Sequence, residues 1–212
     1  PDSPNYYFEL ANSYAASGEI DQAIAAYQQA MLLNPTNYNY AKTLADLHLQ
    51  QLQLDAAIQV YETLLSHDPT ISAAYHAILS MFQDAGDLAG ALIHYRQIHK
   101  EQPDAAWPLF MLARVYEEID RENQTNEHLT ETIALKEEAL YRVPIYAIGW
   151  RNLAQDYERN GQRARAYVAW HLAKAITSVD WLRREADQAL NRLVQPHINP
   201  RPFVALMAEG LS

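Results

Sequence analysis

Cysteine is missing altogether from this 212-residue chain. That removes disulfide scaffolds, thiolate zinc sites, iron–sulfur clusters and cysteine nucleophiles in one step. It does not choose a compartment: cytoplasm stands only as the default, beside periplasmic or membrane-associated settings. Glycine and proline are also few, six and ten, whereas an all-β chain needs turn chemistry every ~8 to 12 residues. Helix is therefore expected. Long apolar runs are lacking as well. Stretches such as Tyr146-Ala147-Ile148-Gly149-Trp150 fall far below the roughly 20 residues of a membrane span. The chain opens at Pro1-Asp2-Ser3-Pro4, with neither an initiator methionine nor the basic and apolar regions of a signal peptide. It reads as a fragment or processed form.

Cations are scarce in one half. Residues 1–106 hold 3 Lys+Arg against 12 Asp+Glu, net −9, and residues 107–212 hold 13 against 14, net −1, together the −10 of the whole chain. Nucleic-acid affinity comes largely from clustered Lys and Arg, so a nucleic-acid partner is not expected. An acidic half can select a basic partner, or can simply be a solvated surface.

What the chain does have is a period. Pro35, Pro69 and Pro103 are spaced by 34 and 34, and each follows a run whose apolar residues recur at three and four, the helical period. Twelve residues before each proline stands an alanine (Ala23, Ala57, Ala91), and eight before it a tyrosine (Tyr27, Tyr61, Tyr95). Seventeen before it come Gly18, Leu52 and Gly86. Two of these three turns thus have a residue that reaches positive φ without strain, and the second departs.

On these residues the chain resembles the tetratricopeptide repeat, or TPR, family. Repeat one, residues 4–37, supplies Tyr7, Leu10, Ala11, Tyr14, Gly18, Ala23, Tyr27, Ala30 and Pro35, every consensus class in order. Repeat two (38–71) is looser, with Leu44, Ala45, Ala57, Tyr61 and Pro69. Repeat three (72–105) keeps Tyr75, Ile78, Phe82, Gly86, Ala91, Tyr95 and Pro103. A degenerate fourth (106–146) begins with Leu109, Leu112, Ala113 and Tyr116 but reaches its proline, Pro144, only after 41 residues, seven too many. Seven residues make about two helical turns, and Thr125 or Asn126 is expected to cap a lengthened second helix running to about Arg142. A strong fifth repeat (147–180) has Trp150, Leu153, Ala154, Tyr157, Gly161, Ala166, Trp170 and Ala173. Residues 181–195 read as a capping helix with Asp180 as its N-cap, and residues 196–212 as a tail in which Phe203 to Met207 form a last turn. The resemblance implies an all-α, right-handed superhelical solenoid of antiparallel helix pairs with concave and convex faces.

Nothing in the sequence assembles chemistry. The eight histidines include no His-Glu-x-x-His pair, and His94 and His99 point to different helix faces. Glycines form no phosphate loop, and no serine sits in a nucleophile elbow. The acidic run through Glu117, Glu118, Asp120 and Glu122 to Glu137 and Glu138 reads as a solvated face. No catalytic residue, metal or cofactor is expected; the chain reads as a non-enzyme.

By the resemblance, a partner protein or peptide would lie on the first helix of each pair. The residues expected to line that groove are Phe8, Asn12, Lys42, Asp46, His76, Trp107, Phe110, Arg114, Arg151 and Gln155. Aromatics and arginine are the usual anchors. A groove carrying Lys42, His76, Arg114 and Arg151 suggests an acidic or mixed extended peptide. The two-carboxylate clamp with which TPR co-chaperones hold Hsp70 and Hsp90 tails is not expected: its five positions fall on Phe8, Asn12, Thr43, Ala73 and Ala77, so only Asn12 matches and the cations are missing. The function expected is a protein-interaction scaffold or adaptor. The alternatives are a self-assembly module forming a homo-oligomer, and the targeting domain of a longer enzymatic or membrane-attached protein.

Overall fold

The computed structural model describes residues 3–194. Among them are eleven α-helices and no strand. By internal contacts the chain divides into two units, Pro1–His94 and Tyr95–Ser212.

The first unit holds α1 (Pro4–Ala16), α2 (Ile20–Leu33), α3 (Tyr38–Gln50), α4 (Leu54–His67) and α5 (Ser72–Asp84), and it ends within α6 (Leu88–Glu101). First helices have 13 residues and second helices 14. Alanine makes the close pairing possible: Ala11, Ala23, Ala45, Ala57 and Ala91 are fully buried, so the backbones approach without a side chain between them. Larger apolar groups fill the remaining space, with Leu44, Leu64, Leu65, Tyr75 and Ile78 all nearly inaccessible. Between pairs, side chains tie the turns. Asn37 Oδ1 accepts from the backbone N–H of Asn39 and Tyr40 and starts α3, and the Tyr75 hydroxyl donates to the Pro69 carbonyl at 2.8 Å.

The second unit holds the rest of α6, α7 (Trp107–Asn123), α8 (Leu129–Arg142), α9 (Ala147–Arg159), α10 (Arg163–Ile176) and α11 (Asp180–Leu193). Trp170, Leu109, Met111, Leu140 and Leu153 form its most deeply buried core.

One main-chain device closes every turn within a pair. The N–H of Glu19, Gln53, Asp87, Thr125 and Gln162 donates to the carbonyl five residues earlier, on Tyr14, His48, Phe82, Asp120 and Tyr157. The residue just before each donor is left-handed: Gly18, Leu52, Gly86, Gln124 and Gly161. Leu52 takes this conformation, at φ 59°, despite its side chain. The repeat thus keeps its geometry where the sequence departs from glycine, and the Leu52 side chain stands 93% exposed.

The inserted residues lie elsewhere than expected. α8 starts at Leu129 and has 14 residues like other second helices, with neither Thr125 nor Asn126 as its cap. The first helix, α7, is the longer one at 17 residues. Four of the seven extra residues are one added turn of α7, two lie in the α7–α8 turn, and one lies between α6 and α7. The added turn wins because the apolar period continues through Val115, Tyr116 and Ile119, while Gln124 supplies the left-handed stop. At the far end Val179 occupies the N-cap, and Asp180 is the first helical residue, where its charge complements the helix dipole. Residues 196–212, including the turn expected at Phe203 to Met207, lie outside the described residues.

Candidate partner-binding face

In the first unit, residues expected to face a partner are organised by tyrosines. Phe8 of α1 stacks on Tyr40 of α3, with ring centroids 4.7 Å apart and planes 28° apart, and leans on Tyr27 at 5.5 Å. Tyr27 donates its hydroxyl to Asn12 Oδ1 at 2.7 Å, and Tyr40 donates to Asn5 Oδ1. Each amide is oriented by having its oxygen occupied. Burial pushes the Tyr27 phenol above its ordinary pKa and the Glu9 charge pushes it further, so the hydroxyl remains a donor at neutral pH.

Lys42, expected as a free groove cation, is paired. Its Nζ lies 2.6 Å from Asp46 Oδ2, one turn along α3. The hydrogen bond to Asp46, and then that carboxylate's charge, raise the lysine's pKa. His76 stands exposed on α5. Lys42 is the single Lys or Arg of residues 1–94, against ten Asp and Glu.

In the second unit the expected anchors have other employment. Trp107 and Phe110 are 4% and 5% exposed, so neither presents an open aromatic surface. Trp107 meets Tyr95 edge to face at 6.0 Å, and Phe110 meets Tyr146 at 5.2 Å. These are packing contacts, and they correct the expectation of groove aromatics there: the aromatics fill space between helices. Arg114 is half-buried. Arg151 is held by α11, its Nε and Nη2 donating to both oxygens of Glu185 at 2.7 and 2.8 Å, with the guanidinium 5.7 Å from the Trp181 ring centroid. Gln155 donates to the same carboxylate at 3.2 Å. Arg192 of α11 meets Glu158 at 2.7 Å. Arg151 to Glu185 and Glu158 to Arg192 are both 34 residues apart, so α11 continues the repeat register by one helix. That spacing was the signal through which Glu185 could have been found in the sequence.

The acidic run of α7 is also not a solvated face throughout. Glu117 Oε1 and Asp156 Oδ2 each lie 2.5 Å from Lys136 Nζ, and Arg159 pairs with Asp156. Lys136 is 3% exposed and Asp156 fully buried. Two cations and two anions from α7, α8 and α9 thus close a neutral cluster, the condition under which buried charge is tolerated. Asp120, 8% exposed, accepts from the Thr125 hydroxyl at 3.0 Å and from the His128 backbone N–H at 3.0 Å, with the His128 ring at 2.7 Å. Burial would raise the Asp120 carboxyl, but His128 and Thr125 outweigh it and hold it below its ordinary value. His128 in turn stacks on Tyr116, with centroids 4.7 Å apart. The cluster fixes the α7–α8 turn.

Among the described residues no group of three or more His, Asp or Glu could hold a metal ion, and no helix is long and apolar enough to cross a membrane. Serial antiparallel helix pairs with a 34-residue register define a helical-repeat scaffold for protein interaction. Residues 14–81 match the family model described as Tetratricopeptide repeat. Over those residues, about a third of its length, the chain is similar to the tetratricopeptide-repeat family. The crystal structure of TTC0263, a thermophilic TPR protein in Thermus thermophilus, aligns over 89% of this chain and 99% of that one at 19% identity, TM-score 0.51. The crystal structure of the yeast Tom70 aligns over 98% of this chain and 43% of that one at 19% identity, TM-score 0.57. At such identity the likeness is one of fold. Over 92 residues, 43% of this chain, the sequence is 33% identical to the BBSome complex member BBS4 of Bos taurus, of which the match covers 18%. The chain spans less than a fifth of the length of the curated relatives it matches. Proteins of this family are generally non-catalytic scaffolds for protein–protein interaction.

Proposed function

We propose that the protein is an adaptor that holds an extended segment of a partner protein on the first-helix face of its amino-terminal unit, formed by α1, α3 and α5. The observation that carries this reading is the tyrosine-ordered pair Asn5 and Asn12, flanking Phe8. Each asparagine oxygen is engaged, so what the two amides have to offer a partner is N–H, one N–H of Asn12 being given to Glu9. Asn5 and Asn12 stand seven residues apart on α1, about 10.5 Å, close to the ~9.3 Å of one three-residue turn of a polyproline-II segment, whose carbonyls three residues apart point the same way. An extended segment can therefore give a backbone carbonyl to each. Lys42, Asp46 and His76 complete the face. In the second unit, Arg114, Arg151 and Gln155 belong to the corresponding surface, with Arg151 and Gln155 already engaged by Glu185. Membership of a complex, which the name of the bovine relative states for that protein, is in keeping with an adaptor role here.

The test is a pull-down from native lysate with the purified chain beside Phe8→Ser and an Asn5→Ala, Asn12→Ala variant, each checked for helicity by circular dichroism. A partner held by the parent chain and lost from both folded variants supports the reading. A partner held equally by all three places recognition elsewhere and overturns it.

A further inference from the structure

We infer that the segment this face selects is basic, which reverses the charge class suggested by the lysine, histidine and arginines of the sequence. The inference rests on the proposed face and adds to it the chemistry of the occupant. Three observations carry it.

First, the face has no unengaged lysine or arginine to offer. Lys42 is its one such residue, and Asp46 neutralises it at 2.6 Å. An acidic peptide would have to displace an existing partner one helical turn away. Second, the anion on α1 has no Lys or Arg partner among the described residues. Glu9 is exposed, and the Asn12 amide reaches it through a 3.4 Å hydrogen bond. It adjoins Phe8, the partly exposed ring of a group in which Tyr27 and Tyr40 are buried. Third, the surrounding field has one sign. Residues 1–94 carry ten Asp and Glu and one Lys, net −9, so a positively charged segment is drawn toward the unit and an anionic one repelled before contact. The oriented amides fit the same occupant. The N–H donors not given to Glu9 meet backbone carbonyls, which leaves the peptide's cationic side chains to reach Glu9.

The experiment measures fluorescence anisotropy of two labelled eight-residue peptides, alternating Lys-Ala and alternating Glu-Ala, against the intact chain at low and moderate salt. Four proteins are compared: parent; Glu9→Gln; Tyr27→Phe with Tyr40→Phe, which keeps the rings and removes the groups that orient the amides; and Asp21→Asn with Asp55→Asn, which removes two charges at the starts of α2 and α4, off the face. The expected result is that the lysine peptide binds, the glutamate peptide binds at least about five-fold more weakly, and Glu9→Gln reduces lysine-peptide affinity by up to about five-fold, the range of one exposed charge pair. The two hydroxyl deletions weaken it as well, and the off-face variant changes it less than Glu9→Gln does. Tighter binding of the glutamate peptide, lost in the Tyr27→Phe, Tyr40→Phe protein, overturns the charge class while leaving the face intact. Lysine-peptide binding that falls as much in the off-face variant as in Glu9→Gln reports net charge alone and overturns the assignment to this face.

Discussion

Lys136 Nζ and Asp156 Oδ2 lie 2.5 Å apart with both residues almost entirely shielded from water, one on α8 and the other on α9. Neither charge could be buried alone. Arg159 supplies the second cation and Glu117 the second anion. Replacing Lys136 by Met is expected to cost about 3 kcal/mol, because an anion-rich interior remains. The double change Lys136→Met, Asp156→Leu should recover much of that loss, since a packed apolar pair often substitutes for a buried ion pair. Urea unfolding of the two single variants and the double variant gives the cycle. A double variant as weak as the sum of the singles would show that the pair is not coupled.

Leu52 stands at φ 59° with its side chain in water, where three of the other turns have glycine. Left-handed backbone costs a residue with a Cβ about 1 kcal/mol, and Leu52→Gly relieves it without removing packing. The expected gain is about 0.5 to 1 kcal/mol after the entropy that glycine costs the folded state. Thermal unfolding should show a midpoint raised by a few degrees, and a lowered one would mean that Leu52 makes contacts in solution.

The His94 ring lies 2.7 Å from Glu62, and that hydrogen bond is the main cause that raises the imidazole's pKa above 6.5, against the opposing effect of burial. A raised pKa means the folded state binds the proton more tightly. The contribution is therefore fully present below the unfolded value and lost as pH rises through the folded one. Stability of the parent relative to His94→Gln should decline on passing from about pH 6 to about pH 8. Denaturant midpoints at several pH values check this, and parallel curves for the two proteins would contradict it.

Arg151, Gln155 and Glu185 tie α11 to α9. Glu185→Ala should leave the arginine without its bidentate partner and weaken the docking of α11 by about 1 to 2 kcal/mol. Amide hydrogen exchange is the direct readout, with faster exchange across residues 182–193 and little change in α9. Unchanged protection in α11 would assign its docking to Leu182, Ala186 and Leu190 alone.

Much of the fold is legible in the sequence because close packing needs a residue of fixed size at a fixed interval. Ala11, Ala23, Ala45 and Ala57 announce helix pairs through their spacing alone. The face is less legible, for two physical reasons. Periodicity assigns a residue to a side of a helix but not to its partner, so Lys42 and Arg151 read as free cations when Asp46 and Glu185 already hold them. Position also does not distinguish an aromatic that meets a ligand from one that meets the next helix, as Trp107 and Phe110 show. The inserted segment misled for a third reason: Thr125 and Asn126 suggested the cap of a longer α8, whereas the apolar period of α7 runs one turn further before Gln124 ends it.

All five turns within pairs are closed by the same backbone bond, from an N–H to the carbonyl five residues before it, whichever side chains stand nearby. Turn formation is therefore indifferent to where along the chain it happens. A first helix can be lengthened by whole turns, as α7 is, and the same closure re-forms at the new end once one residue there takes the left-handed conformation, as Gln124 does. In such an architecture length is an editable property of each pair, and the chain can acquire a locally altered surface while the neighbouring pairs keep the register they already had.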